Sequence, residues 1–189
     1  MIGPSHPAFK NETMVIGLSG YARTGKDTVA AILKEEFAFE QRSFADTLRD
    51  FLYALNPKVE GPVRVSDVID EYGWGGYKET SYGEEMRELL QRLGTDAGRN
   101  IMGENIWVDS LFTDAPDKLV IADCRFANEA EGVRERGGKM VRIRRAGIGP
   151  ANDHISEVSL DAYDFDYVID NDGDFGDLRQ KVRDMMRHA

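Results

Sequence analysis

The stretch Thr13–Phe39, TMVIGLSGYARTGKDTVAAILKEEFAF, decides the fold. Met14, Val15, Ile16 and Leu18 make an apolar run of strand length, and Val29, Ile32, Leu33 and Phe37 recur at helical spacing. Between them stands Gly20-Tyr-Ala-Arg-Thr-Gly25-Lys26-Asp27-Thr28, a G-x-x-x-x-G-K loop in its confirming context of strand before and helix after. The glycines let the backbone turn tightly, so that successive N–H groups point at a phosphate. The helix N-terminus adds roughly half a positive charge, and Lys26 reaches toward the β- and γ-phosphates. One position departs from the strict pattern. Asp27 stands where Ser or Thr is usual, and Thr28 comes one residue later. The loop is read as a nucleoside triphosphate site, with Gly20, Arg23, Thr24, Gly25, Lys26, Asp27 and Thr28 as its binding residues.

The composition bounds what surrounds this loop. A chain of 189 residues, 41% hydrophobic and 31% charged, is expected to form one domain with a real core. No apolar run approaches the roughly eighteen residues of a membrane span, and the N-terminus has no signal-peptide pattern. A single cysteine, Cys124, excludes an internal disulfide framework and a cysteine zinc cluster. The cytoplasm is the expected compartment, the host's if the gene is a phage's. A net charge of −10 argues against a broad nucleic-acid-binding face, so cations that serve phosphates must converge on one cleft.

Residues 1–12 read as a loose leader, and 13–189 as the domain. Arg42-Ser-Phe44 looks like a short second strand, and Ala45–Leu55 a helix with Leu48, Phe51, Leu52 and Leu55 inward, closed by Asn56-Pro57. From Lys58 to Gly83 the period loosens among glycines and aromatics, which suggests an irregular insertion. Glu84 to Leu93 is helical and places Arg87 and Gln91 on one face; Gly94-Thr-Asp96 breaks the run. Asn105–Phe112 is a further helix, with Trp107 read as core. Lys118–Asp123 is a second buried strand ending in an aspartate, which in a phosphate-loop protein sits beside the Mg²⁺ position. Arg125 follows at the carboxyl edge of the sheet, where open α/β sheets bind ligands. The next helix carries Asn128, Glu129 and Glu131 in its early turns. Gly138–Ile143 is a strand with Arg144 and Arg145 at its end, before a glycine-proline loop that reads as a lid. His154 is read as polar lid structure rather than a metal ligand. Tyr167–Ile169 is a last strand, and Asn171-Asp-Gly173 turns into a helix over Phe175–His188.

Strands centred on Val15, Phe44, Ile121, Val141 and Val168, each followed by a helix, predict an α/β fold: a five-stranded parallel sheet with helices on both faces. With the phosphate loop after the first strand, this is a P-loop kinase fold. An acceptor-binding region is expected at about 45–112, and a short lid at about 144–157.

Taken together the chain resembles the bacteriophage-type deoxynucleoside monophosphate kinases. The resemblance is carried by Gly20–Thr28 and by Phe44-Ala-Asp46-Thr-Leu-Arg49. Arg87-Glu-Leu-Leu-Gln91 with Leu93-Gly-Thr95, and Asn105-Ile-Trp107-Val-Asp109, continue it. So do Asp123-Cys-Arg125-Phe-Ala-Asn128-Glu129, His154-Ile-Ser-Glu157 and Tyr167-Val-Ile-Asp-Asn171-Asp-Gly173. It implies transfer of the γ-phosphoryl of ATP to a deoxynucleoside 5′-monophosphate. It assigns Asp46, Arg49, Arg87, Gln91, Arg125 and Glu129 to the acceptor, and adds Asn171 and Gly173 to the ATP site. Lys26, Arg125, Arg144 and Arg145 are the expected catalytic cations. Mg²⁺ is expected near Asp27, Thr28 and Asp123, directly or through water. Kinases of phosphomevalonate or dephospho-coenzyme A, or a nucleotide-binding ATPase switch, are the alternatives. No nucleic-acid polymer and no membrane is expected as a partner, and the oligomeric state stays open, a homodimer included.

Overall fold

The computed structural model describes residues 13–150 and 158–189. The leader and His154, Ser156 and Glu157 of the expected lid lie outside the described residues. In chain order the elements begin with β1 (Met14–Ser19), α1 (Lys26–Phe37), β2 (Glu40–Arg42) and α2 (Phe44–Leu55). Next come β3 (Lys58–Glu60), β4 (Val63–Arg64), α3 (Val65–Gly76), a 3₁₀ turn (Tyr77–Glu79) and α4 (Gly83–Gln91). A π-helical stretch (Arg92–Met102), α5 (Ile106–Thr113), β5 (Lys118–Ile121) and α6 (Ala127–Arg134) follow. The chain closes with β6 (Lys139–Arg144), β7 (Tyr167–Asp170) and α7 (Phe175–Met186). These elements fall into two compact units: Met1–Ser43 with Asp114–Ala189, and Phe44–Thr113.

The first unit holds the expected sheet, in the order β2-β5-β1-β6-β7 with every neighbouring pair parallel. Alternation along each strand splits its side chains between the two faces. Ile16 and Leu18 of β1, Val120, Val141, Ile143 and Ile169 join one core cluster. Val29, Ile32 and Leu33 of α1 and Leu178, Val182 and Met185 of α7 complete it. Each such fully buried aliphatic side chain contributes about 1.5–3 kcal/mol over its exposed state. The opposite face is covered by α6, packed against β1 and β6. Because all five strands run the same way, their carboxyl ends share one edge of the sheet. That edge gathers the phosphate loop after β1, Asp123 after β5, Arg144 and Arg145 at the end of β6, and Asn171 after β7. No helix among the described residues is long and apolar enough to cross a membrane.

The second strand lies earlier than its sequence suggests. β2 ends at Arg42, and Phe44 opens α2, buried against Phe112 in an edge-to-face contact with ring centroids 6.5 Å apart. β2 has no buried residue, so it carries no apolar period to mark it.

The second unit corrects the sequence in three further places. Lys58–Gly83 is ordered: β3 and β4 pair antiparallel across Gly61-Pro62, and α3 follows. Val59, Val65, Val68 and Tyr77 of this segment are buried with Leu52 and Met86. In α2 the inward face is narrower than expected, with Leu52 buried but Phe51 46% and Leu55 58% exposed. Gly94 does not break its helix. The chain continues through Met102 in wider turns, with the Gly103 N–H donating to the Gly98 carbonyl five residues back. Trp107 explains the glycine at 98. Its indole N–H donates to the Gly94 carbonyl at 2.9 Å, and a Cβ on Gly98 would meet its ring at 2.5 Å. Trp107 is core, as read.

Candidate active site

The phosphate loop is built from three left-handed or glycine-only conformations in six residues. Gly20 has φ 149°, Arg23 φ 65° and Gly25 φ 104°. Gly25 is the residue from which α1 starts, and a side chain there would be strained and would also meet Asn171 Nδ2 at 2.4 Å. Asn171, just past β7, uses that closeness. Its Nδ2 donates to the Thr24 carbonyl at 2.8 Å, and both residues are buried. Its own backbone N–H donates to the Arg144 carbonyl, so the loop is braced through the end of β6. Asn171 is therefore brought to the loop as expected, but it acts on the backbone of Thr24.

Tyr21 supplies the other anchor. Its carbonyl accepts from Thr24 Oγ1 at 2.9 Å and from Lys26 Nζ at 2.8 Å, and Lys26 also donates to the Gly20 carbonyl at 2.7 Å. Thr24 thus turns its hydroxyl inward, while the Lys26 ammonium lies over the loop. Asp27 and Thr28 occupy the first turn of α1, Asp27 exposed and Thr28 half-buried.

At the end of β5 the Asp123 carboxylate accepts from Ser43 Oγ at 2.6 Å, which fixes it beside β2. Cys124 is buried, and burial followed by the charge of Asp123 holds its thiol well above the usual range, so it stays protonated. Glu129 is 4% exposed and caps α6: its Oε2 accepts from the Arg125 N–H at 2.8 Å and the Phe126 N–H at 3.1 Å. The backbone of Arg125 is thereby pinned. Arg125 lines a small cleft with Ser19, Gly20, Ala22 and Arg142.

Arg144 is a strand residue, the last of β6, rather than part of a loop. Its guanidinium makes a two-point pair with Asp170 at 2.8 and 3.1 Å, and that hydrogen bond pushes the carboxylate below the usual range. Arg144, Arg145, Asp170 and Asp172 line a groove of about 690 Å³ together with Tyr21 and Arg142. Gly173 stands at the entry to α7, where a Cβ would collide with the capping Asp177.

The remaining expected residues belong to the second unit. Arg49 and Asp46 pair at 3.1 Å one turn apart on α2, and Arg87 and Gln91 are both exposed on α4.

Sequence reading missed Arg142 and Asp161. Arg142 is 9% exposed in β6, and it pairs with Asp161 at 2.7 Å. The available signal was a charged residue between Val141 and Ile143, inside a strand that needs apolar residues on both faces.

Comparison with known proteins agrees with this picture. The family described as deoxynucleotide monophosphate kinase matches residues 78–182. The chain is 31% identical to a protein of Acanthamoeba polyphaga mimivirus assigned as a deoxynucleotide monophosphate kinase, over 84% of this chain and 88% of that protein. It is 33% identical to the deoxynucleoside-5′-monophosphate kinase of Escherichia phage T5, over 79% of this chain and 86% of that one. Among solved structures, dephospho-CoA kinase from Campylobacter jejuni shares the fold alone. Its TM-score is 0.50 at 15% identity, covering 94% of this chain and 96% of that one. With an α/β sheet, a phosphate loop at its carboxyl edge and these relatives, the chain belongs to the deoxynucleotide monophosphate kinase family, a family of phosphotransferases.

Proposed function

We propose that the chain transfers the γ-phosphoryl group of ATP to a deoxynucleoside 5′-monophosphate, giving ADP and the deoxynucleoside diphosphate. The observation that carries this reading is the phosphate loop, braced by Asn171 and overlaid by Lys26, in a chain of this family. Phosphoryl transfer through a loose transition state needs alignment and positive charge around the moving group, with little covalent chemistry. The loop N–H groups from Gly20 to Thr28 and the Lys26 ammonium hold the donor, exchanging loop carbonyls for phosphate oxygens. Arg125, Arg144 and Arg145 supply charge at the transferring group. In the second unit Asp46, Arg49, Arg87 and Gln91 are read as acceptor residues; in the first, Arg125 is read so too, with Glu129 holding its backbone. No general base is required, because a phosphate monoester is already mostly doubly ionised at neutral pH. Residues 145–150, the described part of the expected lid, are read as keeping water from the donor.

Mg²⁺ fits the residues present. Asp27, Thr28 and Asp123 offer hard oxygen donors, the chemistry Mg²⁺ selects when it takes its other ligands from phosphates and water. When bound, the ion neutralises charge on the β- and γ-oxygens.

The test is ADP release with a panel of deoxynucleoside monophosphates, run on the native protein and on Lys26→Ala. Stimulation by one or more of these acceptors is expected, and Lys26→Ala should lose about 3 kcal/mol of transition-state stabilisation, near a hundred-fold in turnover. Hydrolysis independent of any acceptor would support a switch. Stimulation by dephospho-coenzyme A or phosphomevalonate alone would move the acceptor outside the nucleotides.

A further inference from the structure

Arg142 is buried in a strand whose other buried residues are Met140, Val141 and Ile143, and its two terminal nitrogens and its face all have partners. One nitrogen pairs with Asp161 Oδ1 at 2.7 Å, and another donates to Ser19 Oγ at 3.3 Å, across the β1–β6 register that sets Ser19 beside Arg142. The plane lies over the Tyr21 ring, 4.7 Å from its centroid, with Phe165 at 5.6 Å. Tyr21 closes the circuit, since its hydroxyl donates to the second oxygen of Asp161 at 2.7 Å. The hydrogen bond to Asp161, with burial adding to it, raises the phenol above its usual range and keeps it a donor. The same Tyr21 carries at its carbonyl the two bonds from Thr24 and Lys26 that order the loop.

We propose that Tyr21, Arg142 and Asp161 act as one set of positioning residues that hold the first turn of the phosphate loop in place for the chemical step. The proposal rests on the reading that this loop holds the donor triphosphate. Two arguments separate it from a structural role. Arg142 is the buried partner of its pair, and a buried charge is a poor way to stabilise a fold, since apolar residues of similar volume often do as well or better. Arg142 can become Met without stranding its partner, because the Asp161 side chain is 38% exposed and keeps its solvent. The thioether would still pack against Tyr21 and Phe165. What such a variant loses is the fork that ties Asp161 to the loop, and misplacement of a reacting group by about 1 Å costs on the order of a hundred-fold in rate.

The experiment measures kcat, the acceptor KM and thermal stability of Arg142→Met, Tyr21→Phe and the double variant, beside Lys26→Ala. Each single variant is expected to keep its melting temperature and its acceptor KM to within about two-fold, while kcat falls about ten-fold or more. The double variant should be no slower than the worse single one, because the residues work as a unit. Losses that multiply in the double variant overturn the proposal, as does a kcat within about two-fold of native in both singles. So does a fall in melting temperature with kcat unchanged per folded molecule. Tyr21→Phe keeps the ring at a half-exposed position, and decides the matter alone if Arg142→Met does not fold. Full turnover in Lys26→Ala would instead overturn the phosphate-loop reading beneath it.

Discussion

Asn171→Ala isolates one hydrogen bond at the back of the phosphate loop. The bond from Nδ2 to the Thr24 carbonyl is 2.8 Å long, and Thr24 and Asn171 are 1% and 8% exposed, so water does not readily replace the lost donor. A buried carbonyl left without its partner costs about 1–3 kcal/mol. Taken at about 2 kcal/mol, and at roughly 2–4 °C per kcal/mol for a chain of this size, the melting temperature should fall by about 4–8 °C. The backbone bond from the Asn171 N–H to the Arg144 carbonyl survives the substitution, so β7 should still end where it does. Donor binding requires the loop in its braced form, so the part of this free energy that the free loop escapes by relaxing reappears as weaker binding of a non-hydrolysable ATP analogue, up to about thirty-fold. Asn171→Asp should weaken the analogue further, because it sets an anionic oxygen against the carbonyl and beneath a triphosphate. Thermal unfolding and titration calorimetry on the two variants read both quantities. A normal melting temperature and a normal Kd in Asn171→Ala would refute the bracing argument.

Three shorter predictions concern other parts of the molecule. Arg49→Ala should raise the acceptor KM about ten-fold or more with the donor KM unchanged, as loss of a hydrogen bond to a charged group predicts; an unchanged acceptor KM removes Arg49 from the acceptor site. Glu129→Gln should cost about 1 kcal/mol in urea unfolding, since a neutral amide is a weaker cap for the Arg125 and Phe126 N–H groups than a carboxylate, and an unaltered midpoint would deny the cap any energetic role. Glu36 ties α1 to α7 through Arg183 at 2.6 Å and through Arg179, and the hydrogen bonds from Arg183 and then Arg179 lower its pKa from the ordinary 4.5. A carboxylate depressed in the folded state contributes stability that is full above pH 4.5 and is lost as pH falls through the lower folded value. The gap in stability between neutral and acid pH should therefore narrow in Glu36→Gln, and an equal gap in both proteins would discount the pair.

The sheet was legible because a parallel strand covered on both faces reads as an apolar run: β1 and β5 do, and β6 does apart from Arg142 and the charges at its two ends. The loop after β1 was legible because its glycines and lysine are spaced by the tight turn from β1 into α1. Edge and local structure were less so. β2 is three residues with none buried, so Phe44, the apolar residue after it, drew the strand two positions too far along. In α3 the glycines Gly73, Gly75 and Gly76 hid a helix that Val65 and Val68 bury, and Gly73 does leave helical geometry at φ 68°. Gly94 read as a break, yet its carbonyl takes the Trp107 indole N–H, and the missing side chain of Gly98 is what admits the ring. The Tyr21–Arg142–Asp161 set could not be seen at all, because it joins positions 140 residues apart in the chain through a register between β1 and β6 that local pattern does not encode.

Asp27 now has a sharper meaning than a flaw in a motif. It is exposed in the first turn of α1, where a carboxylate favours the helix by about 0.3–1 kcal/mol through the positive end of the dipole. The same charge beside a bare triphosphate is unfavourable, by about 1 kcal/mol for two unit charges close together in water. A carboxylate kept at that position is therefore expected to make donor binding depend on a cation. In Asp27→Asn, ATP should bind about five-fold more tightly without Mg²⁺, while the affinity of the Mg²⁺ complex stays level or falls. Titrating the ATP analogue with and without Mg²⁺ gives the ratio of the two affinities directly, independent of turnover. That ratio should shrink by about five-fold or more in the variant. An unchanged ratio, with only a small loss of stability, would leave Asp27 as a helix-terminal charge and shift the metal contact to Thr28 and Asp123.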